Sequence, residues 1–412
     1  MSIIVQKFGG SSVANVARIK MVAKRIVRAK KRGVKPVVVV SALGDTTDEL
    51  EKLVSQITDE PDEREMDMLL STGEQVSVAL LAMAIHELGV GAVSFTGPQV
   101  GIITDRLHTK ARILGINAAR IHQALRRDKV VIVAGFQGRT ESGEITTLGR
   151  GGSDLTAVAL AQVLGATACE IYTDVDGIYT ADPRIVRDAR MIEQISYDEI
   201  LEMAALGAKV MHARSVEVGK KFNVPIYVRN SAHNGKGTLI TKESKKMEDV
   251  VVSGVALMED EAKITIFSVP DKPGIAAKIF AKLAAGEVNI DMIIQNKTET
   301  NTTDISFTVY KKELRKALRV VKDAVSKLGV RRVVCDENIS KVSIVGVGMR
   351  SHSGVAAKMF RCLARKQINI DMISTSEIKI SCVVNGRKGK QAVRAIHKEF
   401  GLGTGKGQKG RA

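Results

Sequence analysis

The chain has 412 residues, 44% of them hydrophobic and 26% charged, a composition typical of a globular protein with two or three domains. Its formal net charge of +17 raises nucleic acid as a partner, but the basic residues are scattered and only 3% of residues are aromatic, which disfavours nucleic-acid binding. No apolar run approaches the ~20 residues of a membrane span, the four cysteines are dispersed, and no metal-ligand spacing is legible. We therefore expect a cytoplasmic protein that does not contact a membrane and has no metal site of its own.

The first 245 residues alternate short apolar segments with longer amphipathic ones. This alternation predicts βαβ units and a mainly parallel sheet covered by helices, with ligands bound in the loops that follow the strands. The predicted strands are residues 3–5, 37–40, 92–95, 130–134, 170–172 and 226–228. The predicted helices include residues 16–31, 73–88 and 110–126.

The C-terminal part contains an internal repeat. PGIAAKIFAKLAAGEVNIDM at residues 273–292 matches SGVAAKMFRCLARKQINIDM at residues 353–372, so Gly354 follows Gly274 by 80 positions. Strand patterns flank each copy, which predicts two small α+β domains. The charged stretch TKESKKMED, at residues 241–249, is expected to link them to the first half, and the Gly/Lys-rich residues 403–412 are expected to be a disordered tail.

Glycine-rich or polar loops follow several predicted strands. KFGGSS places Lys7 beside two glycines, which lets backbone N–H groups face a phosphate, although a tight turn with an exposed lysine fits equally well. SALGDTTD follows the second strand, where its hydroxyl groups either cap a helix or hold a polar substrate. Glu74, in STGEQ, either complements a helix dipole or pairs with an ammonium group.

The loop TTLGRGGSD, at residues 146–154, is the strongest binding candidate. Its three glycines are costly unless the backbone approaches a ligand closely. Arg150 is suited to binding a carboxylate, and the alternative for it is a surface ion pair. Asp154 adds an opposite charge, and the alternative for it is a helix cap. YTDVDGIYTADPR, at residues 172–184, offers aspartates for Mg²⁺ or ribose and an arginine for phosphate. Since no Ser–His–Asp or Cys–His arrangement is legible, the set fits phosphoryl transfer.

The ordered motifs KFGGSSV, VVVVSALGDTT, STGEQVS, TTLGRGGSD, YTDVDGIYTADPR and LGAKVMHARSVE resemble the signature blocks of aspartate kinases, within the amino acid kinase superfamily. The C-terminal repeats resemble paired ACT domains. The resemblance implies a doubly wound, mainly parallel α/β kinase domain at residues 1–246 and ferredoxin-like α+β ACT regions at 247–335 and 336–402. It also implies phosphorylation of the side chain of L-aspartate to 4-phospho-L-aspartate by ATP with Mg²⁺, the first step toward lysine, threonine and methionine.

The same resemblance implies roles for individual residues. Lys7 and Asp154 are the implied catalytic residues, one neutralising the transferring phosphoryl group and the other orienting the substrate. The loop at 146–154 would then hold a zwitterion, with Arg150 on its α-carboxylate. The implied aspartate-binding residues are Ser41, Thr46, Thr47, Glu74, Arg150, Gly151, Gly152 and Ser153. The implied ATP-binding residues are Lys7, Phe8, Gly9, Gly10, Ser41, Thr173, Asp174, Tyr179, Asp182, Arg184 and Lys209.

ACT pairs of this family bind end-product amino acids between domains of two chains, so lysine, threonine or both are the expected inhibitors. The implied first site comprises Asp271, Gly274, Ile275, Ala276, Asn289, Gln295 and Asp304. The implied second site comprises Gly354, Asn369, Ser374, Thr375, Glu377 and Ser381. The repeats differ at these positions and need not share a ligand. We expect a homo-oligomer, or an α2β2 assembly if an internal start at Met247 yields a separate regulatory subunit.

Two alternatives stay open at this point. Another acyl-phosphate-forming amino acid kinase shares the fold, but it is expected to lack the ACT pair and the TTLGRGGSD block. A non-catalytic amino-acid sensor keeps the ACT pair, but it is expected to have lost Lys7, Arg150 or Asp154, all of which are present.

Overall fold

The computed structural model describes residues 2–206, 211–243, 250–298, 301–326, 328–330 and 332–403. These residues form two compact units. The first takes its described residues from Met1–Tyr179, Met191–Ala205 and Lys209–Met247, and the second from Thr180–Arg190, Leu206–Ala208 and Glu248–Ala412. Lys209, Met247 and the tail at 404–412, on which three expectations rest, lie outside the described residues.

The first unit contains the strands and helices of the alternating half of the sequence. Its strands are β1 (Ile3–Phe8), β2 (Lys35–Val40), β3 (Ala92–Phe95), β4 (Ile102–Thr104), β5 (Ile113–Ile116), β6 (Val130–Ala134), β7 (Gln137–Arg139), β8 (Ile145–Thr147), β9 (Ala168–Thr173), β10 (Gln194–Ser196), β11 (Ile226–Asn230) and β12 (Thr238–Thr241). Its helices are α1 (Val16–Lys31), α2 (Thr46–Ser55), α3 (Glu63–Leu70), α4 (Thr72–His86), α5 (Ala119–Arg126), α6 (Gly152–Val163), α7 (Tyr197–Ala205) and α8 (Ala213–Phe222).

An eight-stranded sheet forms the centre of this unit, in the order β10-β12-β11-β9-β1-β2-β6-β3. All neighbouring strands pair in parallel except β11 and β12. Alternate side chains of β1, β2 and β6 pack with α1 and α4 in one buried core, whereas α6 contacts β1, β2 and β9. The predicted doubly wound, mainly parallel α/β fold is therefore confirmed.

The predicted helix at 110–126 is wrong in its first half. Residues 113–116 form β5, which pairs with β4 in a second, four-stranded sheet of order β5-β4-β7-β8. The side chain of Asn117 accepts a hydrogen bond from the backbone N–H of Ala119, so the helix begins only after Asn117. The isoleucines of this stretch favour the extended conformation, and Gly115 weakens a helix further.

One apolar stretch is longer than the sequence analysis allowed. Residues 63–86, which include α3 and α4, are long and apolar enough in composition to cross a membrane. Half of the most apolar part is buried inside the unit, and α4 packs on the central sheet. The stretch therefore has the character of a core helix.

The second unit contains the two repeats. Its strands are β13 (Gly254–Met258), β14 (Glu261–Pro270), β15 (Ile290–Lys297), β16 (Thr302–Tyr310), β17 (Arg332–Asp336), β18 (Ile339–Val345), β19 (Met372–Thr375) and β20 (Lys379–Asn385). Its helices are α9 (Ile275–Ala285), α10 (Leu314–Val325), α11 (Val355–Arg365) and α12 (Gly389–Glu399). Helices α9 and α11 match at the offset of 80, and each follows a glycine in the left-handed region, with φ of 88° at Gly274 and 84° at Gly354.

A strand of the first repeat region joins the sheet of the second repeat. The first sheet has the order β15-β16-β14-β17, and the second has the order β13-β18-β20-β19. Strand β13 lies in the segment that the sequence places in the first repeat, yet it pairs with β18 of the second. A boundary drawn in sequence therefore does not separate the two sheets.

Candidate active site

Four loops of the first unit meet at the carboxyl edge of its central sheet. The N–H of Gly9 donates to the carbonyl of Tyr172 at 3.2 Å, and the N–H of Ser41 donates to the carbonyl of Phe8 at 3.1 Å. The N–H of Gly135 likewise donates to the carbonyl of Val40 at 3.0 Å. The ends of β1, β2, β6 and β9 thus lie side by side, where parallel sheets bind their ligands.

The two predicted catalytic residues are in contact. Lys7, on β1, places its Nζ 2.6 Å from Oδ1 of Asp154, and the two side chains are 12% and 11% exposed. The contact is an ion pair, and Oδ1 of Asp154 accepts no hydrogen bond from the described residues. Asp154 lies in the first turn of α6, where the helix dipole favours a negative charge. A cation and an anion are therefore held together at the mouth of the loops.

Glu74 is a buried carboxylate with one unsatisfied oxygen. Its Oε1 accepts a hydrogen bond from the N–H of Ala42 at 3.2 Å, whereas its buried Oε2 has no partner in the structure. Burial raises the pKa of Glu74 to about 7, against the smaller lowering effects of backbone hydrogen bonds and of Lys7. A buried polar atom without a partner is costly, so Glu74 is poised to receive a hydrogen-bond donor.

Residues that the sequence analysis missed hold the TTLGRGGSD loop in place. Asp67, which is fully buried, accepts hydrogen bonds from the hydroxyl of Thr147 and from the N–H of Thr109. The guanidinium of Arg214 donates to the carbonyl of Leu148 at 2.7 Å. Neither residue has a local sequence signal, because its partners are distant in sequence.

Two positions of the site require glycine, because neighbouring residues lie too close to the backbone there for a side chain to fit. A Cβ on Gly10 would lie 2.8 Å from the carbonyl oxygen of Gly44, so the first two loops touch. Gly151 has φ of +73°, and a Cβ there would lie 2.3 Å from the side chain of His212. Side chains at these positions would push the loops apart.

The other predicted aspartate-binding residues differ in exposure. Arg150 is exposed at the tip of its loop, and Gly152 and Ser153 are buried in the first turn of α6. Ser41, Thr46 and Thr47 are half-buried after β2. The exposed guanidinium of Arg150 is thus accessible to a ligand.

The predicted ATP residues fall into two groups. Thr173 ends β9, and Asp174 and Tyr179 follow it in the first unit, where the hydroxyl of Thr173 donates to Asp174 at 3.0 Å. Asp182 and Arg184 lie on Thr180–Arg190, which belongs to the second unit. The guanidinium of Arg184 donates from Nη2 to Asp182 at 2.8 Å, and this hydrogen bond lowers the pKa of Asp182.

Asp176, in the middle of the loop after β9, has a structural role. Its Oδ1 lies 2.8 Å from Nδ2 of Asn230 and 2.8 Å from Nε2 of His233. The hydrogen bond from Asn230 is the largest cause that lowers the pKa of Asp176. The first aspartate of the motif, Asp174, is exposed instead.

A pocket of about 300 Å³ opens in the first repeat, between the end of β14 and the start of α9. Of the predicted first effector site, it is lined by Asp271, Gly274, Ile275, Ala276 and Gln295. Asn289 and Asp304 are not lining residues, and Asp304 accepts a hydrogen bond from the N–H of Ser268 at 2.8 Å.

The predicted second effector residues are spread over two environments. Gly354, Asn369, Thr375 and Glu377 are exposed and Ser374 is half-buried, whereas Ser381 is buried. The hydroxyl of Ser381 lies 2.7 Å from that of Ser343 within the second sheet. The hydroxyl of Ser381 is thus already hydrogen-bonded to Ser343 inside the fold.

Comparison with known proteins identifies the family of the chain. The amino acid kinase family model matches residues 2–230, and the ACT domain model matches residues 267–325 and 342–400. An aspartate kinase of Stutzerimonas stutzeri is 53% identical over 403 residues, which cover 98% of each chain.

Solved structures give the same assignment. E. coli aspartokinase III in complex with aspartate and ADP has a TM-score of 0.76 at 27% identity, covering 96% of this chain and 99% of that one. The same enzyme in complex with lysine and aspartate also has a TM-score of 0.76 at 27% identity, covering 97% and 99%. The chain therefore belongs to the aspartate kinase family, whose members phosphorylate the side-chain carboxylate of L-aspartate with ATP in the first step toward lysine, threonine and methionine.

Proposed function

We propose that Lys7, Glu74, Arg150 and Asp154 bind L-aspartate and carry its phosphorylation. The observation that supports this most directly is the buried, unpartnered Oε2 of Glu74, on a carboxylate close enough to Lys7 for that lysine to lower its pKa. The ammonium group of aspartate supplies the missing donor and the compensating charge. Arg150, exposed on its loop, takes the α-carboxylate in a bidentate contact.

The chemistry requires positioning and charge screening. An oxygen of the aspartate side chain attacks the γ-phosphorus of ATP, the bond to the bridging oxygen breaks, and ADP leaves with the electron pair. The attacking carboxylate is ionised at neutral pH because its pKa is ~4, so no general base is needed. Lys7 reduces the repulsion between this anion and the phosphates, and Asp154 holds the Lys7 ammonium in position.

The nucleotide is assigned to the edge formed by the ends of β1 and β9. Phe8, Gly9 and Gly10 lie at this edge, where the N–H of Ser41 donates to the carbonyl of Phe8. Thr173 ends β9, Asp174 and Tyr179 follow it, and Asp182 and Arg184 come next in the chain. The similar E. coli aspartokinase III has been solved with aspartate and ADP, which supports this assignment.

Mg²⁺ is proposed to enter with the nucleotide. This ion is held in proteins by one or two carboxylates together with substrate phosphates. Among the described residues no group of three or more histidine, cysteine or acidic side chains is placed to hold a metal, but the exposed carboxylate of Asp174 fits an ion shared with phosphates. When bound, the ion screens phosphate charge.

The pocket of the first repeat is proposed to bind an inhibitory amino acid, lysine or threonine. Asp271 provides a carboxylate at its mouth, now paired with Lys297 at 2.9 Å, and the turn at Gly274 brings backbone to the same pocket. E. coli aspartokinase III has been solved with lysine and aspartate. We further propose a cytoplasmic homo-oligomer, or an α2β2 assembly, formed through the ACT domains.

The reaction is tested by trapping the acyl phosphate as a hydroxamate in the presence of ATP and Mg²⁺. L-aspartate is expected to give product, whereas glutamate and N-acetylglutamate are expected to give none. Product with either control in place of aspartate would contradict the substrate assignment. Lysine and threonine, added singly and together, test the regulatory assignment, and full activity in all three mixtures would contradict it.

A further inference from the structure

The segment Thr180–Arg190 carries the Asp182 and Arg184 pair but is packed within the second unit. Its contacts there include Val255 of β13, whose N–H donates to the carbonyl of Thr180 at 2.8 Å, α12, the last helix of the second repeat, and the residues that follow α12. We propose that Arg394 and His397 of α12 are positioning residues for nucleotide binding, because they hold the segment that presents Asp182 and Arg184. This inference rests on the proposed assignment of Asp182 and Arg184 to ATP.

The start of the segment is fixed by a buried hydroxyl. Thr180 and His397 are each 1% exposed, and Oγ1 of Thr180 lies 2.9 Å from Nε2 of His397. The same oxygen lies 3.2 Å from the carbonyl of Leu402 and accepts a hydrogen bond from the N–H of Arg190 at 3.1 Å. Burial lowers the pKa of His397, so the contact uses a neutral imidazole at physiological pH. One hydroxyl thus joins both ends of the segment to α12.

The middle and end of the segment have separate anchors. Nε of Arg394 donates to the carbonyl of Ile185 at 2.9 Å, directly after Arg184 in the chain. Ala189 forms a β-bridge with Gly403, and a Cβ on Gly403 would lie 2.3 Å from the Asp188 carboxylate. The segment is therefore held at three points by residues of the second repeat and its C-terminal extension.

The pair itself sits on a closed turn between these anchors. The N–H groups of Ile185 and Val186 both donate to the carbonyl of Asp182 at 2.9 Å, and the Arg184 guanidinium lies against the Asp182 carboxylate. The side chain of Arg184 is 90% exposed and faces solvent. Because its own hydrogen bonds close the turn, we expect its position to depend on the anchors. The loss of one anchor is expected to weaken phosphate binding while the residues assigned to aspartate stay unchanged.

Arg394→Ala is the decisive variant, because Arg394 is exposed and its substitution should leave folding intact. Lys398→Ala is the matched control, since Lys398 is exposed on the same helix and, among the described residues, its side chain forms no hydrogen bond or ion pair with the segment. We expect Arg394→Ala to raise the KM for ATP roughly three- to tenfold, equivalent to one hydrogen bond, with kcat and the KM for aspartate within about twofold of wild type. Lys398→Ala should leave all three constants unchanged.

His397 gives a second test with a conservative rescue. His397→Ala is expected to raise the KM for ATP and to weaken ADP binding measured by calorimetry, whereas His397→Gln keeps a nitrogen for Thr180 and should restore both. Unchanged KM for ATP and unchanged ADP affinity in Arg394→Ala would overturn the inference, whether or not His397→Ala folds. Absence of aspartate kinase activity in the wild-type protein would overturn the proposed function instead. The comparison of ADP binding between the wild type and the variants would still decide whether Arg394 and His397 are positioning residues.

Discussion

Nζ of Lys341, on β18 of the second repeat, lies 2.6 Å from Oε1 of Glu261, on β14 of the first repeat. Both side chains are buried, at 1% exposure for the lysine and 3% for the glutamate. Lys341 also contacts Asp291, and Lys263 lies 3.7 Å from Asp371. The aspartate of each NIDM motif thus contacts a lysine on the first strand of the other repeat, which joins the two repeats by charge.

Removing the lysine of this cluster should destabilise the protein strongly. Lys341→Met leaves the buried carboxylate of Glu261, whose pKa is already raised by burial despite Lys341, without its cation. A buried charge that loses its partner typically costs about 3–5 kcal/mol, which predicts a clear fall in the melting temperature. The double variant, Glu261→Met with Lys341→Met, should melt closer to wild type, because it removes both buried charges. Equal melting temperatures for the single variant and wild type would contradict the role of the cluster.

The ionised side chain of Glu74 should lower the free energy of unfolding, because it is buried. Its pKa of about 7 in the folded state exceeds the usual value of 4.5, so folding favours the protonated form, and stability falls as the pH rises from 4.5 through 7. At pH 8 the penalty is ~3 kcal/mol, at ~1.4 kcal/mol per pKa unit. Glu74→Gln, which is neutral at every pH, should therefore be more stable than wild type at pH 8 and similar to it at pH 5. Urea unfolding at the two pH values measures this difference, and a variant that is less stable at pH 8 would contradict it.

The same carboxylate should give aspartate binding a pH dependence. An ammonium group binds the ionised form of Glu74, so kcat/KM for aspartate should rise between pH 6 and pH 8, around the pKa of about 7. In Glu74→Gln the value should be lower throughout and this rise should disappear. A variant that keeps the full pH profile would assign the titration to another group.

The sequence predicted which loops lie close together better than it predicted the residues that hold those loops in place. Loops after parallel strands meet at one edge of a sheet, so the neighbourhood of Gly9, Ser41 and Asp174 followed from the alternation of strands and helices. The contact of Lys7 with Asp154 required the exact packing of α6 on β1, which spacing along the chain does not specify.

Residues that hold the site through contacts with residues distant in sequence could not be predicted, because no local sequence pattern marks them. Asp67 lies in a helical EREMDMLL segment and resembles a surface carboxylate in sequence, yet it is buried against Thr147, 80 positions away. The pairing of β13 with the second sheet was also not predictable, because the sequence of an apolar strand does not indicate which sheet it joins. The helix predicted at residues 113–116 failed because these residues pair with β4, which reinforces the extended conformation that their isoleucines favour.

Lys7 should act on turnover more than on nucleotide affinity. Lys7→Ala removes the ammonium that is proposed to screen the attacking carboxylate from the phosphates, an interaction that strengthens as charge develops in the transition state. We expect kcat to fall by about two to three orders of magnitude while the KM for ATP changes much less. Steady-state kinetics at saturating aspartate separate the two constants. An increase in KM for ATP with unchanged kcat would make Lys7 a ground-state nucleotide contact.

Arg150 should act on aspartate alone. Its exposed guanidinium lies at the tip of the TTLGRGGSD loop, at the start of which the buried Thr147 is anchored to Asp67, so its substitution should leave the loop backbone in place. Arg150→Lys keeps the charge but removes the planar fork that matches a carboxylate, and the KM for aspartate should rise roughly tenfold or more. The KM for ATP should stay near the wild-type value, since the nucleotide is assigned to the ends of β1 and β9. An unchanged KM for aspartate would remove Arg150 from the substrate site, and the α-carboxylate would then need another cation at this edge of the sheet.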